Sequence, residues 1–348
     1  MSKVDIPGLS FHITNRCNLN CDGCYTLSNF GLDGHQHWHD YKDIISQWGN
    51  KLELSSWSIY GGEPTLNPTL LDWIDGLMSV WPNASGIILT NGYILKSSNK
   101  TLYHYLAKFN GKVKLKISLH NVNLLDEFIG HAHNWLEGPV TVSRHPELET
   151  LLNSELNWKL TYDKIRDASW PDCNSWKDFY NLPKNIQTEC QEVFNLTPET
   201  FADQLQGYTF VDSNNIKIEM DRIYFHSMGT LIPQNDFKTF KLHNSDPVKA
   251  HDICGNKFCS EMFKGKLYKC NTVAHFSDFE KQFYVDLDES DRELLHSGRG
   301  YGPDELEQFF DDLDKPMPQC KFCPENLVTN QIYSSTKQIK FVKKQYRH

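Results

Sequence analysis

The stretch Leu9-Ser10-Phe11-His12-Ile13-Thr14-Asn15-Arg16-Cys17-Asn18-Leu19-Asn20-Cys21-Asp22-Gly23-Cys24-Tyr25 decides how this chain is read. Leu9 to Ile13 has the short apolar pattern of a strand. It runs directly into a loop whose cysteines are spaced C-x3-C-x2-C. Three thiolates this close can hold three irons of a [4Fe–4S] cluster and leave the fourth iron without a protein ligand. An open iron on a low-potential cluster can chelate a small molecule and pass it one electron. Zinc is the plainer alternative, although it prefers paired C-x2–4-C knuckles and a fourth ligand. Disulfides need an oxidising compartment, and Met1-Ser2-Lys3-Val4-Asp5 does not read as a signal peptide.

A second strand-like run, Trp57-Ser58-Ile59-Tyr60-Gly61-Gly62-Glu63-Pro64, ends in two glycines. Glycine lets a backbone come close to a ligand and adopt angles closed to other residues. The two motifs, in this order and each after a strand, resemble those of the radical S-adenosylmethionine (SAM) enzymes. The resemblance implies that Cys17, Cys21 and Cys24 hold the cluster and that its open iron binds the amino and carboxylate groups of SAM. It implies that Gly61, Gly62, Glu63 and Pro64 hold the SAM amino group, and that SAM is cleaved to a 5′-deoxyadenosyl radical. Asn91 in Thr90-Asn91-Gly92, and Ser118, resemble further SAM contacts, and Tyr25, directly after the third cysteine, is a further candidate. Arg144 follows the fifth strand, where a cation could pair with the SAM carboxylate, and a surface ion pair is its bland alternative. Two departures stand out. Gly23 occupies the place where the family usually has an aromatic residue, and a glycine-containing motif often found on the fifth strand is missing.

Strand and helix patterns alternate through the first half. Strands are expected near Leu9–Ile13, Ser55–Tyr60, Gly86–Thr90, Lys112–His120, Pro139–Ser143 and Trp158–Tyr162. Helices are expected over Trp38–Trp48, Asn67–Val80, Asn99–Phe109, Asn123–Trp135 and Pro146–Leu156. Such alternation argues for an α/β fold with a parallel sheet. The resemblance implies a partial (βα)6 barrel over residues 1–165. Residues 166–252 then form a linker or elaboration that completes the core, with a hairpin over Val211–Glu219 around Asp212-Ser213-Asn214-Asn215. Ser10 and His12 share one face of the first strand; Lys116, Ser118 and His120 share one face of the fourth. A polar face turned inward suits a charged cofactor, so His12, Ser118 and His120 are expected at the cavity, and His12 and His120 are candidate proton acceptors. Solvated or edge positions would give the same pattern. SAM and substrate are expected at the C-terminal mouth of the strands.

Residues 253–348 hold a second cysteine set. Cys254 precedes Gly265-Lys266-Leu267-Tyr268-Lys269-Cys270, and Cys320-Lys321-Phe322-Cys323-Pro324 follows. Four thiolates suit either Zn(Cys)4 or a closed [4Fe–4S] cluster. The layout resembles the twitch domain, a shortened relative of the SPASM domain found after some radical SAM cores. The resemblance implies one auxiliary cluster on Cys254, Cys270, Cys320 and Cys323. Cys259 could stand in for Cys254. Cys173 and Cys190 are isolated, and an isolated cysteine is usually a small buried hydrophobe.

The formal charge of −9 disfavours non-specific binding to nucleic acid or an anionic membrane. The basic run from Lys337 to Arg347 reads as a solvated helix end. With ten cysteines and no export signal, the chain is expected in a reducing cytoplasm. An auxiliary cluster with no open iron would accept an electron from a substrate radical in a net oxidation. The expected partners are a small polar metabolite, nucleotide or sugar, and an external one-electron donor such as flavodoxin or ferredoxin. The alternatives are a maturase acting on a peptide or protein side chain, and a non-catalytic iron–sulfur or zinc protein.

Overall fold

The computed structural model describes residues 3–21, 24, 26–119, 124–144, 208–222, 226–227, 231–234, 239–252, 254, 260–325, 328–329 and 334–335. The expected strand Trp158–Tyr162, the helix Pro146–Leu156, the basic run from Lys337, and Tyr25, His120, Cys173, Cys190 and Cys259 lie outside the described residues. The chain is a mixed α/β protein with parallel strands, divided into two compact units. The first takes residues 1–89, 227–326 and 333–348; the second takes 90–226 and 327–332.

The first unit begins with β1 (Val4–Thr14), the short β2 (Asn20–Cys21), α1 (Trp38–Lys51), β3 (Leu52–Gly61), α2 (Leu70–Val80) and β4 (Ser85–Thr90), whose last residue belongs to the second unit. β1 pairs in parallel with β3, and β3 with β4. The register sets Leu9 beside Trp57 and Phe11 beside Ile59, while Ser10 meets Ser58 and His12 meets Tyr60. Alternation therefore gives this sheet one apolar and one polar face, as β1 read alone suggested. α2 covers the apolar face with Leu70, Trp73, Ile74 and Leu77, the i, i+3, i+4, i+7 stripe of a buried helix surface. Phe11 meets the rings of Trp73 and Trp81 at 6.4 and 5.7 Å. On the other face the Ser10 and Ser58 hydroxyls bond at 2.7 Å.

The second unit contains α3 (Thr101–Ala107), β5 (Val113–Leu119), α4 (Leu125–Trp135), β6 (Val140–Arg144), β7 (Tyr208–Asp212) and β8 (Lys217–Arg222). The hairpin β7–β8 forms where the turn signal placed it. Asp212 closes its turn by accepting from the N–H groups of Asn214 and Ile216, each at 2.9 Å. Its position in the sheet differs from the expected simple succession of parallel strands. β8 lies parallel to β5, β7 is antiparallel to β8, and β6 is antiparallel to β7. A hairpin from far along the chain thus occupies the edge of β5 that the next βα unit was expected to fill.

The chain returns to the first unit at β9 (His226–Ser227), and the returning part comprises β10 (Leu231–Gln234), β11 (Thr239–Leu242), α5 (Pro247–Asp252), β12 (Glu261–Phe263), β13 (Lys266–Tyr268), α6 (Asn271–Gln282), β14 (Tyr284–Val285), α7 (Glu289–Ser297) and α8 (Leu306–Leu313). β15 (Val328–Thr329) belongs to the second unit and β16 (Ser334–Ser335) to the first. β12 adds in parallel to the free edge of β1, with Ser10 opposite Glu261. β13 folds back on β12. A buried aromatic core holds Leu27 and Phe30 from the segment after Cys24, Phe276, Phe279 and Phe283 from α6 and its end, and Phe322 from between Cys320 and Cys323. Burying each such ring contributes on the order of 1.5–3 kcal/mol. Among the described residues no helix is long and apolar enough to cross a membrane.

Candidate functional site

The cysteine loop and the glycine segment are stitched together by backbone. Gly62 N–H donates to the Thr14 carbonyl and Glu63 N–H to the Arg16 carbonyl, both at 2.7 Å. Gly61 has φ +151°, and a Cβ there would lie 2.4 Å from the Thr14 oxygen; one on Gly62 would lie 2.1 Å from the Arg16 oxygen. Only glycine permits this approach. Glu63 is buried, and its carboxylate accepts from Thr65 N at 3.1 Å and Thr65 Oγ1 at 2.6 Å. It thereby caps the short 3-10 turn Pro64–Leu66, with Pro64 at the first position. The Thr26 hydroxyl lies 3.4 Å from Cys24 Sγ, 2.9 Å from Ser28 Oγ and 3.4 Å from the Gly61 carbonyl.

Within the loop, Leu19 N–H donates to Cys17 Sγ at 3.4 Å, and Cys21 is buried in β2. Burial pushes the Cys17 thiol up to about 12, with the charges of Cys24 and Glu63 adding to the rise. A bound cation is what reverses that penalty, so the donor set fits a metal cluster. Among the described residues no three His, Cys, Asp or Glu side chains converge on a single ion. A four-iron cluster asks for something else, since each thiolate binds its own iron and the sulfurs stand apart.

His12 lies on the face opposite Phe11, with its ring 5.5 Å from Tyr60, 5.1 Å from Phe263 and 4.2 Å from His275. A Cβ on Gly61 would be 3.3 Å from its Nε2. α6, through His275, packs against this face. Glu261 and His275 are fully buried and 3.2 Å apart, and Tyr60 donates to Glu261 and accepts from Asn271 Nδ2 at 3.2 Å. Burial, then the neighbouring His275 and Lys264, hold the His12 pKa well below its ordinary value. The imidazole is therefore neutral at pH 7. The sequence reading missed Tyr60, Glu261 and His275; nothing in a three-residue strand at 261–263 signals that it will join β1.

Asn91 is buried, and its side chain accepts from Tyr93 N at 3.1 Å, holding the turn after β4. Ser118 is half-buried on β5 between buried Ile117 and Leu119, opposite Asp221 of β8. Arg144 ends β6, paired with Tyr208; its side chain lies outside the described residues. Asn91, Ser118 and Arg144 all belong to the second unit.

The other four cysteines meet. Cys254, Cys270, Cys320 and Cys323 line one small cavity of about 30 Å³ together with Ala250, His251, Lys269, Leu313 and Met317. Cys254 follows α5, which lies against the Pro318–Phe322 turn. Cys270 is the N-cap of the 12-residue α6. A helix N-terminus favours a thiolate. Cys323 N–H donates to the Cys320 carbonyl at 3.0 Å, closing the C-x2-C turn. Burial raises the Cys270 thiol well above its ordinary value, and the nearby charges of Cys323, Cys254 and Cys320 raise it further. Four sulfurs around one enclosure, not converging on a single ion, suit by their chemistry a fully ligated cluster whose irons each take one thiolate.

No family model matches the chain. Over 121 residues it is 31% identical to a protein named probable GTP 3′,8-cyclase from Saccharolobus solfataricus, covering 34% of this chain and 36% of that protein. Over 147 residues it is 27% identical to the GTP 3′,8-cyclase of Crocosphaera subtropica, covering 39% and 40%. The matches thus span well under half the length of these curated relatives. Among solved structures, Streptococcus suis SuiB aligns with a TM-score of 0.35 at 13% identity, over 76% of this chain and 60% of that one. SuiB bound to S-adenosylmethionine aligns with a TM-score of 0.29 at 22% identity, over 35% and 27%. The two sequence relatives support the radical SAM resemblance.

Proposed function

We propose that this chain is a radical SAM enzyme that acts on a small polar substrate, a nucleotide before a sugar or other metabolite, with the four-cysteine chamber holding an auxiliary [4Fe–4S] cluster. The carrying observation is the pair of 2.7 Å backbone bonds that fasten Gly62 and Glu63 to Thr14 and Arg16. They make the cysteine loop and the glycine segment one platform, which is what a ligand shared between an open iron and the Gly61–Gly62 backbone requires. When bound at Cys17, Cys21 and Cys24, a cluster with SAM supplies one-electron cleavage and a radical that abstracts hydrogen. The chain's own part is positional. Gly61 and Gly62 keep the backbone narrow, Glu63 fixes the turn beyond them, and buried Cys21 and the Thr26 hydroxyl hold the loop. His12, neutral and buried beside Gly61, presents an uncharged ring to that backbone. The nucleotide preference rests on the names of the two sequence relatives. The electron donor is an external protein such as flavodoxin or ferredoxin.

The test is anaerobic reconstitution with iron and sulfide, then incubation with SAM, a reductant and nucleoside triphosphates. Formation of 5′-deoxyadenosine is expected, stimulated by the true substrate. Iron-loaded protein that forms none would sink the proposal.

A further inference from the structure

Among the described residues, a lysine shares the four-cysteine chamber. Lys269 stands immediately before Cys270, between β13 and α6, and is only 7% exposed. Its stem lines the cavity beside Cys254, Cys270, Cys320 and Cys323. Its ammonium turns to backbone, not to a carboxylate: Nζ donates to the carbonyl of Asp312, and to that of Lys315 at 2.5 Å. The Asp312 carboxylate is engaged elsewhere, accepting from Tyr301 at 2.9 Å and Gln308 at 3.0 Å. Burying a cation is costly unless an anion compensates it. Carbonyls at the end of α8 supply partial negative charge. The Asp312 and Asp314 carboxylates also act on this charge, and inside the enclosure the cysteine sulfurs add full negative charges once they become ligands.

We propose that Lys269 is a redox-positioning residue: its buried positive charge raises the reduction potential of a cluster held by Cys254, Cys270, Cys320 and Cys323. A cluster gains one negative charge on reduction, so a fixed cation in a poorly screened site favours the reduced form. This would make the second site an electron acceptor, and the inference rests on the reading that the chamber holds a cluster. Capping α8 is the competing role. It needs only hydrogen-bond donors, whereas the potential needs charge.

K269Q keeps donors for both carbonyls and removes the charge; K269R keeps both. Redox titration of the reconstituted proteins, followed by electron paramagnetic resonance of the second cluster, separates the roles. At a fixed potential the reduced-to-oxidised ratio should fall about tenfold in K269Q, a shift of about 59 mV for one electron. K269R should stay within about twofold. Met317, on the same cavity wall and half-buried, offers a second position for a cation. K269Q/M317K should restore the potential, and should restore the second cluster if K269Q alone fails to hold it. K269Q with its iron and potential unchanged overturns the proposal, as does failure of M317K to rescue. Wild-type protein with about four irons in place of about eight overturns the auxiliary-cluster reading itself.

Discussion

The two cysteine sites are built in opposite ways. Cys17, Cys21 and Cys24 lie on one loop, and main chain fixes that loop: the Gly62 and Glu63 amides reach across to Thr14 and Arg16. Cys254, Cys270 and the Cys320–Cys323 turn are far apart in the sequence and line one cavity, with Phe322 of that turn packed in the aromatic core. At the first site a Cβ added to Gly61 or Gly62 would collide with the backbone to which that segment is hydrogen-bonded; at the second, the turn that carries two of the cysteines is anchored in the aromatic core by Phe322. A locally fastened site suits binding and release of a cosubstrate; a site assembled across a core suits a permanent, enclosed group.

Replacing Cys17, Cys21 and Cys24 together by alanine breaks the comparison most severely. Deoxyadenosine formation should fall to background, while the second site keeps about half of the iron. Loss of all iron would show that the sites do not assemble independently. Next comes Phe322→Ala. Phe322 stands between Cys320 and Cys323 in the sequence and its ring, 1% exposed, belongs to the aromatic core, so its loss should cost about 3–5 kcal/mol by denaturant unfolding. Iron should be lost first from the second site, as read by spectroscopy. Gly62→Ala should cost about 1–3 kcal/mol, because the new methyl meets a carbonyl that is itself in the platform. Its signature is loss of SAM-dependent activity with the second cluster intact; normal deoxyadenosine yield would mean that the platform is looser than its hydrogen bonds indicate.

The smallest effect concerns Asp278 on α6. Burial would raise its pKa, but hydrogen bonds from Lys264 at 2.5 Å and Lys281 at 3.2 Å prevail and hold it below the ordinary carboxylate value. A depressed folded pKa adds stability above the unfolded value of about 3.9, and that stability is lost as pH falls through the folded one. Asp278→Asn should therefore cost about 1 kcal/mol at pH 7 and almost nothing once both forms are protonated. A gap that persists below pH 3 would assign the loss to packing.

What the sequence disclosed follows the same division. β1, β3, β4 and β5, the helices between them and the Asp212 turn were legible because short-range alternation and turn chemistry encode them. The polar face of β1 was legible for the same reason. The partner of that face was not. Glu261, His275 and Asn271 carry no local sign that they will lie over His12 and Tyr60. The insertion of β7 and β8 beside β5 was also hidden: the hairpin could be read, but its place in the sheet is set by long-range packing. A site shared by Cys254, Cys270, Cys320 and Cys323 was expected from resemblance, whereas nothing in the sequence singled out Lys269.

The parallel pairing of β1 with β12 joins residues 10–11 to 261–262. Its meaning changes when the chain is considered during synthesis. At about 5–20 residues per second, β1 leaves the ribosome tens of seconds before its second neighbour exists. For that interval β1 has a bare hydrogen-bonding edge, and the ring of His12 lacks its α6 cover. A bare edge can recruit another strand, including one from a neighbouring nascent copy. Ribosome-bound fragments ending before residue 261 should therefore aggregate more readily than the full chain, and slow translation through the middle of the message should prolong that exposure.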